Sequence, residues 1–160
     1  MGKTGKIMAE PIIAPNQPDL VKDHVTRYIE SKGEDGHLWD AAIGGGEGMI
    51  PTLLLTTIGR KSAKPLIVPL IYGETTSGYV LIASKVGAPT HPAWYLNLEA
   101  QPEVNVQVKA DKFIVRARVA DREERARLWQ QMVGIYSPYE KYQENTDRQI
   151  PVVVLDPVVD

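Results

Sequence analysis

The chain has no cysteine, one phenylalanine and three histidines in 160 residues. Without cysteine there can be no disulfide, no thiolate metal site and no cysteine nucleophile, a usage that suits a reducing cytoplasm. His24, His37 and His91 fall in three separate stretches without metal-ligand spacing, so no metal is expected. No apolar run approaches the roughly 20 residues of a membrane-spanning helix. The basic start, residues 1–8, has no long apolar segment of the kind that directs export, so the expected location is cytoplasmic. A basic excess is missing too: 18 Lys and Arg stand against 20 Asp and Glu, net −2, which argues against a nucleic-acid partner. No Gly-x-Ser-x-Gly elbow and no dinucleotide fingerprint is present, and no Gly-Lys-Ser/Thr follows the glycine run 44–48. Hydrolase, NAD-dehydrogenase and phosphate-loop readings lose their support.

A chain of this length makes one domain, which buries roughly 70% of its unfolded surface. Residues 1–17, rich in Pro, Gly and small side chains, read as a flexible N-terminus ahead of a domain over 18–160. Leu20, Val21, Val25, Tyr28 and Ile29 recur at helical spacing between Pro18 and Gly33, predicting an amphipathic helix over 19–32. It lies on the domain or, in the alternative reading, touches a membrane peripherally at the inner face; its polar face mixes Lys22, Asp23, Arg27 and Glu30. The stretch 39–49 reads as a flexible linker.

Strands are predicted over 52–58, 65–72, 79–83, 103–108, 113–119 and 151–155. Helices are predicted over 93–100, from 122 to about 134 with a capping box Asp121/Glu124, and from 138 to about 146 with Pro138 at its first position. Ala126, Trp129, Met132 and Val133 are the expected inward stripe of the 122–134 helix. About six mostly hairpin-linked strands with few helices predict a mainly β, α+β fold built as a small antiparallel barrel, closed or half-open.

Four constellations carry possible chemistry. Arg60, Lys61 and Lys64, with Ser62 between them, crowd a short loop and can bind phosphate or carboxylate at roughly 1.5–3 kcal/mol per bond; otherwise they are a solvated hairpin tip. The stretch 83–97 leaves an apolar strand and turns through Gly87, Pro89 and Pro92 into a helix. Its Ser84 hydroxyl can donate to a heterocycle carbonyl, Lys85 sits at the strand end, and Trp94 and Tyr95 open the helix where free N–H groups favour an anion. Tyr136, Tyr139 and Tyr142 recur every three residues, as packing or as phenols facing a substrate. Arg148, before the last strand, clamps an anion or caps a helix end; the sequence does not choose.

Three separated segments, 57–62, 83–98 and 145–152, together resemble the deazaflavin-dependent nitroreductase family, the actinobacterial quinone and nitro reductases that use coenzyme F420. The resemblance runs from about Thr52 to Pro157. It implies a split β-barrel like that of FMN-binding oxidases, and a hydride passed from ring carbon C5 of the reduced deazaflavin to an electron-poor acceptor: a quinone, a nitroaromatic or a conjugated enone or lactone. It implies that Arg60, Lys61, Ser62 and Lys64 meet the anionic tail, that Lys85 lies near the phosphate, and that Ala83, Ser84 and the turn Gly87-Ala88-Pro89 line the ring. Tyr136, Tyr139 and Tyr142 then wall the acceptor pocket, Tyr139 and Tyr142 orienting the acceptor or relaying a proton. Two residues depart from the pattern: Leu66, where many relatives carry arginine, and Val86, where they read glycine. A β-branched residue is strained wherever glycine adopts positive φ. The rival readings are an FMN-dependent reductase of the same fold and a non-catalytic deazaflavin carrier or sensor. The oligomeric state is not legible.

Overall fold

The computed structural model describes residues 10–158. In chain order its elements are β1 (Ile12–Ile13), α1 (Asp19–Glu30), β2 (Leu38–Asp40), β3 (Met49–Ile58), β4 (Pro65–Ile71), β5 (Gly73–Glu74), β6 (Tyr79–Ile82), α2 (Ala93–Ala100), β7 (Glu103–Val108), β8 (Asp111–Val119), α3 (Arg122–Ile135), α4 (Pro138–Glu144) and β9 (Val152–Pro157). All six expected strands form. The three additional ones, β1, β2 and β5, are two or three residues long, too short to show an alternating pattern. The first nine residues of the expected flexible N-terminus lie outside the described residues; beyond them, Ile12 and Ile13 pair with Leu66 and Ile67 of β4.

Hydrogen bonding links the strands in the order β1-β4-β3-β7-β8-β9-β6-β5, with β2 added to β3. Every pairing is antiparallel except β1 with β4. The fold is α+β, and the ladder stays open, since its end strands β1 and β5 do not pair with each other.

Alternation sorts side chains to the two faces of this curved sheet. Leu53 and Leu55 of β3, Leu81 of β6, Val104 and Val106 of β7, Val115 of β8 and Val153 and Leu155 of β9 form the inner core, into which α2 sets Trp94, Tyr95 and Leu98. The intervening Val80, Ile82, Val152 and Val154 face outward but stay buried beneath α3 and α4, against Leu128, Met132, Tyr136 and Tyr139. Being covered on both faces is why β6 and β9 read as unbroken apolar runs.

Helix α3 follows the expected stripe in all but one position: Met132 is buried and Trp129 and Val133 pack half-buried on the core, joined by Leu128, whereas Ala126 is exposed. Arg125 donates to the Ile150 carbonyl at 2.6 Å. The expected capping box does not form: Asp121 makes no side-chain cap, and Glu124 is held bidentately by Arg118 at 2.7 and 2.9 Å. The 39–49 stretch is likewise not a linker. Leu38–Asp40 pairs with Met49, Ile50 and Pro51, and a 3-10 turn over Ala41–Gly44 follows, with Asp40 capping Ala42 at 3.0 Å.

Helix α1 sits over β3 and β4 through Val25 and Tyr28, both fully buried with Leu54 and Ile67. The Tyr28 phenol donates to the Thr52 carbonyl at 3.0 Å and accepts from the Lys109 amide at 2.9 Å. Tyr28→Phe removes both bonds without changing the ring, so it is expected to cost about 1–2 kcal/mol and lower Tm by about 2–8 °C. Thermal denaturation checks this; an unchanged Tm would mean that the phenol does not help to seat the helix.

Candidate functional site

Where β6 ends, the chain enters the 83–91 loop, and a cleft of about 310 Å³ opens beside it. That is the lower end of the usual range for small-molecule pockets. Pro69, Leu70 and Ile71 of β4 and Ile82 of β6 make one wall, and Ser84, Lys85 and Val86 the loop side. Pro92 and Trp94 lie at the start of α2, Gln17 and Val21 at the start of α1, and Trp39, Tyr136, Tyr139 and Tyr142 complete the lining. The lining is mainly apolar, with one cation and a few hydroxyl and N–H groups.

The loop takes a rare path. Lys85, Val86 and Gly87 are all left-handed, with φ of 46°, 56° and 77°. Gly87 is required twice over: by its φ, and because a Cβ there would stand 2.6 Å from the backbone oxygen of Tyr142 in α4. Val86 bears the strain expected of a β-branched residue at positive φ, and it gains no packing in return, being 70% exposed. Arg148 neither caps a helix nor stands free for an anion; its guanidinium donates to the carbonyls of Ala83, Ser84 and Ala88.

The three tyrosines form one cluster with distinct tasks. Tyr139 and Tyr142 share a face of α4, while Tyr136 sits at the end of α3 and meets Tyr139 edge-on, with ring centres 5.1 Å apart. The Tyr136 hydroxyl donates to the Gly44 carbonyl at 2.9 Å and lies 3.3 Å from the Tyr142 hydroxyl. The Tyr139 hydroxyl makes no hydrogen bond among the described residues and, since no buried side-chain polar atom there lacks a partner, it opens into the cleft that its side chain lines. Burial pushes the Tyr139 and Tyr136 phenols well above the ordinary tyrosine range. Each is therefore a neutral O–H donor at any ordinary pH.

The glycine run acquires its meaning here. A Cβ on Gly44 or Gly46 would collide with the Tyr136 side chain, so the run lets the 41–46 turn lie flat against that ring. Trp39, 5.9 Å from the Tyr136 ring, enters the cleft from the same segment. Trp39 and the role of the glycines were missed from sequence; the only available signal was that glycine clusters permit close approach as well as flexibility.

Of the sequence candidates, the cleft brings together Ser84, Lys85, Trp94, Tyr136, Tyr139 and Tyr142. Ala83, Gly87, Ala88 and Pro89 belong to the loop without lining the cleft, and Tyr95 does not line it either, its ring lying tilted against that of His91 with centres 4.9 Å apart. Arg60, Lys61, Ser62 and Lys64 stand exposed at the β3–β4 tip. Ser62 orders this tip by accepting from the Lys64 amide at 3.2 Å. Helix α2 ties the tip to the cleft. One turn beyond Trp94, buried Asn97 accepts from the Arg60 amide and guanidinium, both at 3.1 Å, and donates to Thr57 at 3.1 Å. Leu66, on β4 next to the tip, packs half-buried against the inner core.

The family described as F420H(2)-dependent quinone reductase matches residues 20–157. This chain belongs to that family. A curated relative, an F420H(2)-dependent quinone reductase of Mycobacterium tuberculosis, is 37% identical over 139 residues, spanning 85% of this chain and 89% of its own length. A solved structure of an F420-H2 dependent reductase is 43% identical with a TM-score of 0.61, covering 66% of this chain and 94% of that one. Another, described as a domain-swapped dimer, is 38% identical with a TM-score of 0.65, covering 86% and 98%. Membership makes the chain an oxidoreductase with F420 as its cofactor and a quinone as its acceptor, as the three sequence motifs implied. Among the described residues, no helix is long and apolar enough to cross a membrane.

The residues of this F420H(2)-dependent reductase fit a flat, anionic heterocycle. Among the described residues the cleft has one cation, Lys85, and its donors without protein partners include the Tyr139 and Ser84 hydroxyls and the Trp39 and Trp94 indole N–H groups. Because Val86 pays a left-handed penalty and buries little, Val86→Gly is expected to stabilise the chain by about 1 kcal/mol, the relief of strain outweighing the added chain entropy. A rise in Tm of about 2–4 °C, measured calorimetrically, is the corresponding outcome; a fall would contradict the strained path.

Proposed function

We propose that the deazaflavin ring of F420 rests on the 83–89 loop and that the acceptor lies between that ring and the tyrosine wall. Bound there, the reduced cofactor supplies a hydride from C5. The protein supplies placement and electrostatics. Ser84 and Lys85 hold the ring and phosphate end, while Trp94 closes the cleft beside them. Arg60, Lys61, Ser62 and Lys64, beyond α2, receive the anionic tail, with Asn97 aiming Arg60 along that side. The observation that carries this reading is the Tyr139 hydroxyl, a donor that makes no hydrogen bond to the protein among the described residues and opens into the cleft that Ser84 and Lys85 also line. A donor held in an apolar site stabilises negative charge developing on an acceptor oxygen. Since burial holds its proton firmly, Tyr139 acts as a hydrogen-bond donor rather than as an acid. Tyr142, paired with Tyr136, shapes the wall and orients the acceptor. The same arrangement accepts nitroaromatics and conjugated enones or lactones, whose reduction also gathers charge on an oxygen. The antiparallel ladder, open between β1 and β5, supports the split-barrel description of the fold.

Two measurements test the reading. Following the absorbance of reduced F420 with menadione as acceptor, Tyr139→Phe is expected to lower kcat by about 100-fold. Because the Tyr139 phenol is raised, it stays neutral as pH rises, so wild-type kcat should show no alkaline limb from this group up to about pH 9. Undiminished turnover in Tyr139→Phe with every acceptor would remove the donor role. Separately, reversing Arg60, Lys61 and Lys64 to glutamate should weaken F420 binding by at least about tenfold and FMN binding far less, since FMN has no oligoglutamate tail. Equal losses for both cofactors would favour an FMN enzyme. Tight F420 binding without oxidation by any acceptor would favour a carrier.

A further inference from the structure

Arg148 belongs to neither the cofactor set nor the tyrosine wall, yet its guanidinium is spent entirely on one loop. Its Nε donates to the Ala88 carbonyl at 2.7 Å, Nη2 to the Ser84 carbonyl at 2.6 Å, and Nη1 to the Ala83 carbonyl at 3.3 Å. Nη1 also lies 3.0 Å from Nδ1 of His91. These four acceptors bracket the left-handed residues Lys85, Val86 and Gly87. A run in that conformation is costly for two non-glycine residues and persists only where its surroundings hold it. Arg148 is partly buried and forms no ion pair among the described residues, so its charge is met by neutral acceptors alone. Burial lowers its pKa, in keeping with the absence of a counter-ion.

The backbone of Arg148 is fixed in turn by α4. Gln143 donates to the Arg148 carbonyl at 2.8 Å and accepts from the Ile150 amide at 2.9 Å. Since α4 also carries Tyr139 and Tyr142, one short chain of contacts joins the tyrosine wall to the loop.

We propose that Arg148 is a positioning residue that holds the 83–91 loop in its cofactor-receiving shape. The proposal rests on the reading of that loop as the floor of the cofactor site. Nδ1 of His91 accepts from Arg148 in the tautomer that carries its proton on Nε2, which adds the far end of the loop to the same guanidinium. Around it, Lys85 reaches Thr90 at 3.1 Å, and the Tyr95 ring of α2 lies tilted against His91 with centres 4.9 Å apart. Asp147, next to Arg148 in the chain, is exposed and forms no ion pair with it among the described residues.

The experiment compares wild type with Arg148→Lys. Hydrogen exchange on ligand-free protein is read at the amides of Gly87 and Ala88, which donate to Ser84 and Lys85 at 2.9 and 3.0 Å, and in the core strand β3 as a check on folding. F420 affinity is measured in parallel. Arg148→Lys cannot reach all four acceptors, so its loop should lose protection while β3 stays protected, with F420 affinity down about tenfold. Wild-type loop protection or affinity in Arg148→Lys overturns the positioning role. If exchange behaves as expected but wild type never binds F420, it is the cofactor reading that fails.

Discussion

Close contact between the left-handed turn at Gly87 and the backbone of α4 is the constraint on which the site depends. The turn has no side chain at Gly87 because Tyr142 leaves no room for one. That contact fixes how the loop after β6 lies against the helix carrying the tyrosines, and side chains from both line the cleft. Neither partner is rigid by its own local preference. The turn is strained at Lys85 and Val86, and α4 is only seven residues long, too short to be stable alone. Each is held by tertiary contacts: the turn by Arg148, α4 by its aromatic packing on α3 and by the bonds of Gln143 to the chain around Arg148.

Electrostatic and apolar work are separated in space. The lining of the cleft is mostly apolar, and Lys85 is its one cation among the described residues. The remaining basic residues of the candidate set lie outside it, at the β3–β4 tip, in water where ionic contacts are individually weak but can guide an anionic tail. Asn97 connects the two regions. Buried within α2, it spends its amide on Arg60 and Thr57, so the tip is oriented from the same short helix whose first turn closes the cleft. This arrangement matches a ligand with a flat apolar head and a charged tail.

The fold was legible wherever burial imposed a period on the sequence. Strands β3, β4, β6, β7, β8 and β9 and all four helices were located within a few residues, because alternation and helical spacing report which face meets the core. The short strands β1, β2 and β5 escaped because two or three residues cannot display a period, and the bond from Arg125 of α3 to the Ile150 carbonyl escaped because a charged residue gives no apolar signal. Within the site, Tyr139 and Tyr142 could be placed on one helix face from their spacing alone. Which of the phenols keeps an unpartnered hydroxyl could not, since it depends on the Gly44 carbonyl, ninety-two residues away from Tyr136.

By itself, then, the sequence determined the α+β class and the family, and it named candidate groups for the site, because these follow from local periodicity and from motifs read within short segments. Only the tertiary structure decided what the loop at Ala83 to His91 requires. Val86 could be named in advance as a strained residue if its φ were positive; that it is positive, and that Arg148 and α4 are what hold it there, depends on contacts between residues about sixty positions apart. Such contacts leave no mark on local spacing, since their energy comes from groups that meet only once the sheet has brought β6 and β9 side by side.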